Sequence, residues 1–245
     1  MESRLTCKNF QPLTCRAIIF TPDEEASVPK IMKLVVNNWT EVFDAEPNIL
    51  DIQNQISLPR EIPKITLTNK TNSFVCEISS ASVTILIRTL DPNSQDFSVS
   101  EFVDKATRLL IEYKDKLNAR VGRLSSIIER IALVENPALF LAAHFCKERS
   151  VQGQPFNRPE NFEIHAHKTY DMTPDFRVNS WVRNVTRDIM VGPVQRRVIL
   201  VLQDINTLSE AMEKADYSND NIKGFFSNIP INFDEVLSHY YPEGE

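Results

Sequence analysis

Apolar positions along this chain recur with two periods, and the switches between them mark out its elements. Residues 13–20 (LTCRAIIF) form a short β-prone run stopped by Thr21 and Pro22. From Val28 the spacing changes. Val28, Ile31, Met32, Val35, Trp39, Val42 and Phe43 fall on one helical stripe, with Ser27 placed to cap it and Pro29 in its first turn. The acidic run Asp23, Glu24 and Glu25 lies at the end where a helix dipole favours negative charge. Residues 44–61 read as a loop with one short extended piece.

Alternation then returns in residues 64–68, 74–79 and 82–89, joined by connections so tight that the strands must be antiparallel neighbours. Phe74, Cys76 and Ile78 share one face of the second strand, and Val83, Ile85 and Ile87 share one face of the third. After Asp91 and Pro92, a helix is predicted over 99–117, capped by Ser98 or Ser100, with a stripe from Phe102 to Leu117. Glu101/Lys105 and Glu112/Lys116 sit on its solvent side. Residues 121–134 read as a strand by composition, with Ile127, Ile128, Ile131 and Leu133 leaving a helix open, and Asn136 and Pro137 begin a short helix.

Three more strands follow at 162–170, 176–188 and 194–203, turned at Met172–Asp175 and Val191–Pro193. The last is the best strand in the chain. It runs into Asp204-Ile205-Asn206-Thr207, which reads as a turn, and then into a closing helix from about Ser218 to Tyr240, interrupted at Pro230. The sequence predicts an α+β protein with antiparallel sheets, or one extended sheet, covered by helices on one side. The clearest break in pattern, RSVQGQPFNRPE, divides it into residues 1–150 and 151–245, two related meander-plus-helix halves within what can also be one continuous domain.

Composition narrows the classes. The chain has 245 residues, 42% hydrophobic and 24% charged, which is ordinary for a folded protein. Only 5 glycines stand against 14 prolines, and no phosphate-binding glycine loop or dinucleotide fingerprint occurs. A net charge of −6 argues against wholesale nucleic-acid binding. The cysteines Cys7, Cys15, Cys76 and Cys146 have neither zinc-site nor disulfide-scaffold spacing. With no apolar run near the ~18 residues of a membrane span, the expectation is a cytoplasmic protein with reduced thiols, no cofactor and no membrane contact.

Two clusters carry candidate chemistry. His165 and His167 point to one face of a strand, where they could share a metal with Asp171 or His144; the bland alternative is a solvated strand face. A thiol nucleophile at Cys146 or Cys15 is weaker, since His144 is a neighbour of Cys146 in sequence only and a buried inert thiol explains both. The second cluster is basic. Arg177, Arg183 and Arg187 fall on one strand face with Trp181 between them, and Arg196 and Arg197 lie across the next turn. Such a surface fits three readings: a plain solvated face, a docking site for another protein, or a grip on nucleic acid. A second copy of the chain is a further candidate partner.

The segments VILVLQDINTL and NIKGFFSNIPINFDEVLSHYY, with the earlier LTCRAIIF, KITLTNKTNSFVCEISSASVTILIRTL and RLSSIIERI, resemble a sporadically distributed family of uncharacterised bacterial proteins of about 250 residues. That family has no established activity, so the resemblance implies no catalytic residues. It implies an accessory protein, one whose relatives look like parts of mobile or host-defence loci. The expectation is a non-catalytic interaction module of a bacterial regulatory or defence system. The alternatives are a nucleic-acid-binding accessory protein and a metal-dependent hydrolase around His165 and His167.

Overall fold

The structure is a computed structural model that describes residues 5–22, 27–50, 59–89, 97–146, 159–191 and 193–243. Nine strands form one antiparallel sheet in the order β2-β3-β4-β5-β1-β6-β9-β8-β7. In chain order they are β1 (Gln11–Phe20), β2 (Asn48–Ile49), β3 (Ile65–Thr68), β4 (Phe74–Ile78), β5 (Ser82–Arg88), β6 (Arg123–Ala132), β7 (Glu163–Thr173), β8 (Phe176–Val191) and β9 (Val194–Thr207). The helices are α1 (Val28–Leu34), continued by a π turn at Val35–Trp39, then α2 (Val99–Leu117), α3 (Pro137–Phe145) and α4 (Asn219–Tyr240). The fold is α+β. The units on either side of residue 150 share this sheet, because β6 pairs with β9 from Ser125↔Asn206 to Ala132↔Ile199.

A repeated plan does run through the chain, with its joint between α2 and β6. A strand, a helix, a three-stranded meander and a second helix occur twice: β1, α1, β3–β5, α2 and then β6, α3, β7–β9, α4. The spatial order β3-β4-β5-β1 is mirrored by β7-β8-β9-β6, so β1 and β6 meet antiparallel at the centre. Gly122 makes that joint possible, since a Cβ there would stand 2.3 Å from the Met212 carbonyl oxygen. Asn72, Asn118 and Asn136 take the left-handed conformations at a hairpin turn, a helix end and a helix start, which asparagine tolerates best after glycine.

All four helices lie on one face of the sheet, as alternation requires. Cys15, Ala17 and Ile19 of β1, Phe74, Cys76 and Ile78 of β4, and Leu124 and Ile128 of β6 pack there with Ile31, Leu34, Phe102, Leu110, Phe225 and Phe233. A second cluster on the same face joins Val182, Ile199 and Val201 to Leu141 of α3 and Leu237 of α4. Tyr241 completes it. Its ring packs 4.3 Å from Phe10 and 4.8 Å from His144, and its hydroxyl donates to the buried Asn184 Oδ1 at 2.8 Å. The Tyr241 carbonyl also accepts the Cys7 N–H at 2.8 Å.

Three local readings change. Asp204 to Thr207 is not a turn, because β9 continues through Thr207 and pairs with β8 to its end. Pro230 does not interrupt the closing helix, which runs unbroken with Phe225, Phe226, Ile229, Phe233 and Leu237 buried on both sides of the proline. Burial of five side chains outweighs the one lost backbone bond. Glu112 is not an idle surface charge either. It accepts from the buried Trp39 indole at 2.8 Å and from Asn38 at 2.6 Å, tying α2 to the π turn. Asp23, Glu24 and Glu25 lie outside the described residues.

Candidate interaction surface

The face opposite the helices is the surface on which the sequence places its arginines. Alternation along β8 sends Val178, Val182 and Asn184 toward the helices and Arg177, Trp181, Arg183 and Arg187 to the open side. Arg196, paired with Ile189, joins them. Arg197 does not. It pairs with Asp188 and points to the opposite face, where its guanidinium bonds Asn161 at 2.7 Å and lies 3.5 Å from Asp188. The five arginines thus divide by strand parity.

Trp181 is the centre of the exposed part. Its ring is 37% exposed and stacks on His167 of the neighbouring strand, centroids 4.2 Å apart and planes 19° apart. The Arg183 guanidinium stands 6.0 Å from the same ring. Arg177 is 3.7 Å from Asp171, an exposed pair of little energetic weight. Arg183, Arg187 and Arg196 have no hydrogen bond or ion pair among the described residues. Between the strands, Val198, Leu200 and Ile131 form a small apolar cluster with Val185 and Ile189 against it.

Toward the middle of the sheet the same face is polar and closed on itself. Asp204 accepts from the Ser125 hydroxyl at 3.3 Å and from Asn206 Nδ2 at 3.0 Å. Arg123 bonds Asn206 Oδ1 and donates to the Thr207 carbonyl at 3.1 Å. Asp204 therefore serves the sheet rather than a turn. Arg88 donates to the Asn72 carbonyl at 2.7 Å. Arg123 and Arg88 are engaged, Arg16 of β1 leaves its buried Nε without a partner among the described residues, and over β8 and β9 Arg183, Arg187 and Arg196 are unpaired.

No family model and no curated protein matches this chain. What the surface can bind follows from its own chemistry.

His165 and His167 share the open face, as their spacing requires, but each has other company. His167 stacks on Trp181, and His165 Nε2 lies 3.5 Å from Glu163. Asp171 is beside Arg177. His144 is on α3 on the opposite face, with Nε2 2.7 Å from the Tyr240 carbonyl oxygen. Among the described residues no three His, Cys, Asp or Glu side chains converge on a common point. Cys15 is fully buried, and burial pushes its thiol up to about 12 from the ordinary 9.0, the opposite of what a nucleophile needs. No helix among the described residues is long and apolar enough to cross a membrane.

One feature was invisible in the sequence. Where α4 passes β7 and β8 on the helix side it leaves a groove of about 410 Å³, lined by Lys168, Tyr170, Val182, Asn232, Glu235 and His239. The Tyr170 hydroxyl bonds Asn232 Oδ1 across its floor at 3.1 Å. Its walls come from elements some sixty positions apart, and only alternation in β7 hinted that Lys168 and Tyr170 share a side.

Proposed function

We propose that this protein is a non-catalytic interaction module that docks another protein on the open face of β7, β8 and β9. The observation that supports this most is an exposed tryptophan with an uncommitted arginine beside it: Arg183 stands 6.0 Å from the Trp181 ring, and Arg183, Arg187 and Arg196 have no carboxylate partner among the described residues. Arginine and tryptophan are the side chains from which interface hot spots are most often built. Half-buried Val185, Ile189 and Leu202 around them supply the apolar ground such an anchor needs. The partner's matching surface carries carboxylates, since opposite charge sets orientation and association rate.

Nucleic acid is the second reading, on the stack of His167 and Trp181 beside arginines. Two features favour protein. Glu163, Asp171 and Glu129 stand on the same face among the basic groups, and the whole chain carries a charge of −6, both unfavourable to a phosphate backbone.

Affinity capture of the tagged protein from its native host, with half of the sample treated with nuclease, tests this. The expected result is a discrete protein that survives nuclease and is lost in the Arg183→Glu/Arg187→Glu variant. Recovery of protected nucleic acid and no such protein would overturn the reading.

A further inference from the structure

The sheet has two unlike edges. On one side β2 is only two residues long. On the other, β7 runs for eleven residues, and among the described residues its only strand partner is β8. The Thr186 N–H donates to the Phe162 carbonyl at 3.2 Å, in the same register that β7 and β8 keep to Asp171. In an antiparallel ladder, alternate residues bond the same neighbour. Ile164, Ala166, Lys168 and Tyr170 therefore bond β8. Glu163, His165, His167, Thr169 and Asp171 turn their N–H and C=O groups outward.

This outward row is regular. It contains no proline, and the register shifts only between Asp171 and Thr173. Proteins ordinarily blunt such an edge with proline, bulges, short length or inward charge, and of these β7 carries one inward charge, Lys168 on its helix side. Between His165 and Asp171 its charge pattern also matches its own reverse, with His165, His167 and Lys168 toward one end and Thr169, Tyr170 and Asp171 toward the other, Glu163 lying beyond that stretch. Antiparallel pairing of two such strands about a two-fold axis at Thr169 joins odd residues to odd residues, as the outward groups require. It sets His167 opposite the second copy's Asp171, Lys168 opposite its Tyr170 and Ala166 opposite its Met172. Between His165 and Thr173 no like charges face each other.

We propose that the chain self-associates through β7, two copies forming one continuous sheet about this axis. The interface is isologous, the commonest arrangement for soluble homo-oligomers. The axis stands perpendicular to the sheet, so both open faces look the same way and both Trp181 anchors lie on one surface. Self-association does not depend on the docking reading above; only the resulting bivalence toward a partner rests on it.

Two variants test the pairing by sedimentation equilibrium over a range of concentrations. His167→Pro removes one outward donor and no bond to β8, which an edge strand tolerates. Asp171→Lys puts a cation opposite His167. The wild-type chain is expected to sediment as a dimer at high concentration, His167→Pro as a monomer, and Asp171→Lys with a dissociation constant raised at least about tenfold, the effect of roughly 1.4 kcal/mol. Hydrogen exchange on the wild-type dimer should protect the amides of His165, His167 and Thr169. If His167→Pro does not fold, Asp171→Lys and the exchange pattern decide. A wild-type chain that stays monomeric at every concentration overturns the proposal, and so does a dimer that persists unchanged in the variants. Neither result bears on capture of a partner through Arg183 and Arg187.

Discussion

The two halves of the sheet share a plan and spend it differently. In the first half β3, β4 and β5 are 4, 5 and 7 residues long, and their alternation is used up in packing, with Phe74, Cys76, Ile78, Val83 and Ile85 all buried under α2 and its neighbours. In the second, β7, β8 and β9 are 11, 16 and 14 residues long. The helices cover only part of that length, and β7 is exposed or half-exposed throughout. The same duplication that builds one core thus leaves a bare surface on the other side of the axis. Arg183, Arg187 and Arg196 stand unpaired on the bare part, while Arg123 is engaged nearer the centre.

The sharpest way to break this contrast is to trim a side chain in each half. Ile85→Ala, in the middle of the packed meander, is expected to destabilise by about 2–5 kcal/mol in urea denaturation. A cost below about 1 kcal/mol would mean that the first half is not the packed one. An intermediate effect belongs to the place where the second half is tied shut. Tyr241→Phe removes the hydroxyl that donates to Oδ1 of Asn184, which is fully buried, and should cost about 1–3 kcal/mol. The smallest effect is expected at Trp181→Ala, within about 0.5 kcal/mol of wild type because the ring sits on the surface. The two tryptophans also report their surroundings separately. Acrylamide should quench Trp181 and spare Trp39, which is fully buried, and equal quenching of both would erase the distinction.

Most strands, the four described helices and their lying on one side of the sheet were legible in the sequence because alternation and helical spacing are local signals; which side the arginines take was not. The departures have physical causes. Asp204 and Asn206 have turn-forming side chains, yet here those side chains bond Ser125 and Arg123 across the sheet, a use that local pattern cannot distinguish. Pro230 reads as a stop, but burial along α4 overrides it. Arg197 was grouped with Arg196 by proximity, although adjacent strand residues face opposite ways. The pairing of β1 with β6 left no local trace, since the two strands are more than a hundred residues apart, and with it the position of the repeat boundary was hidden.

The clasp at Tyr241 has a consequence for how the chain is made. Residues 11–20 precede the other strands in the chain and take their place at the centre of the sheet, with β5 on one side and β6 on the other. Strands β1 and β3 to β5 can assemble from one contiguous stretch. The second cluster cannot, because its last component follows α4 and must reach back to Phe10, His144 and Asn184. Contacts that span nearly the whole chain close slowly and late. Until Tyr241 docks, Asn184 Oδ1 lacks its donor and the ring contacts with Phe10 and His144 are unmade, so the second cluster is the last part of the core to close.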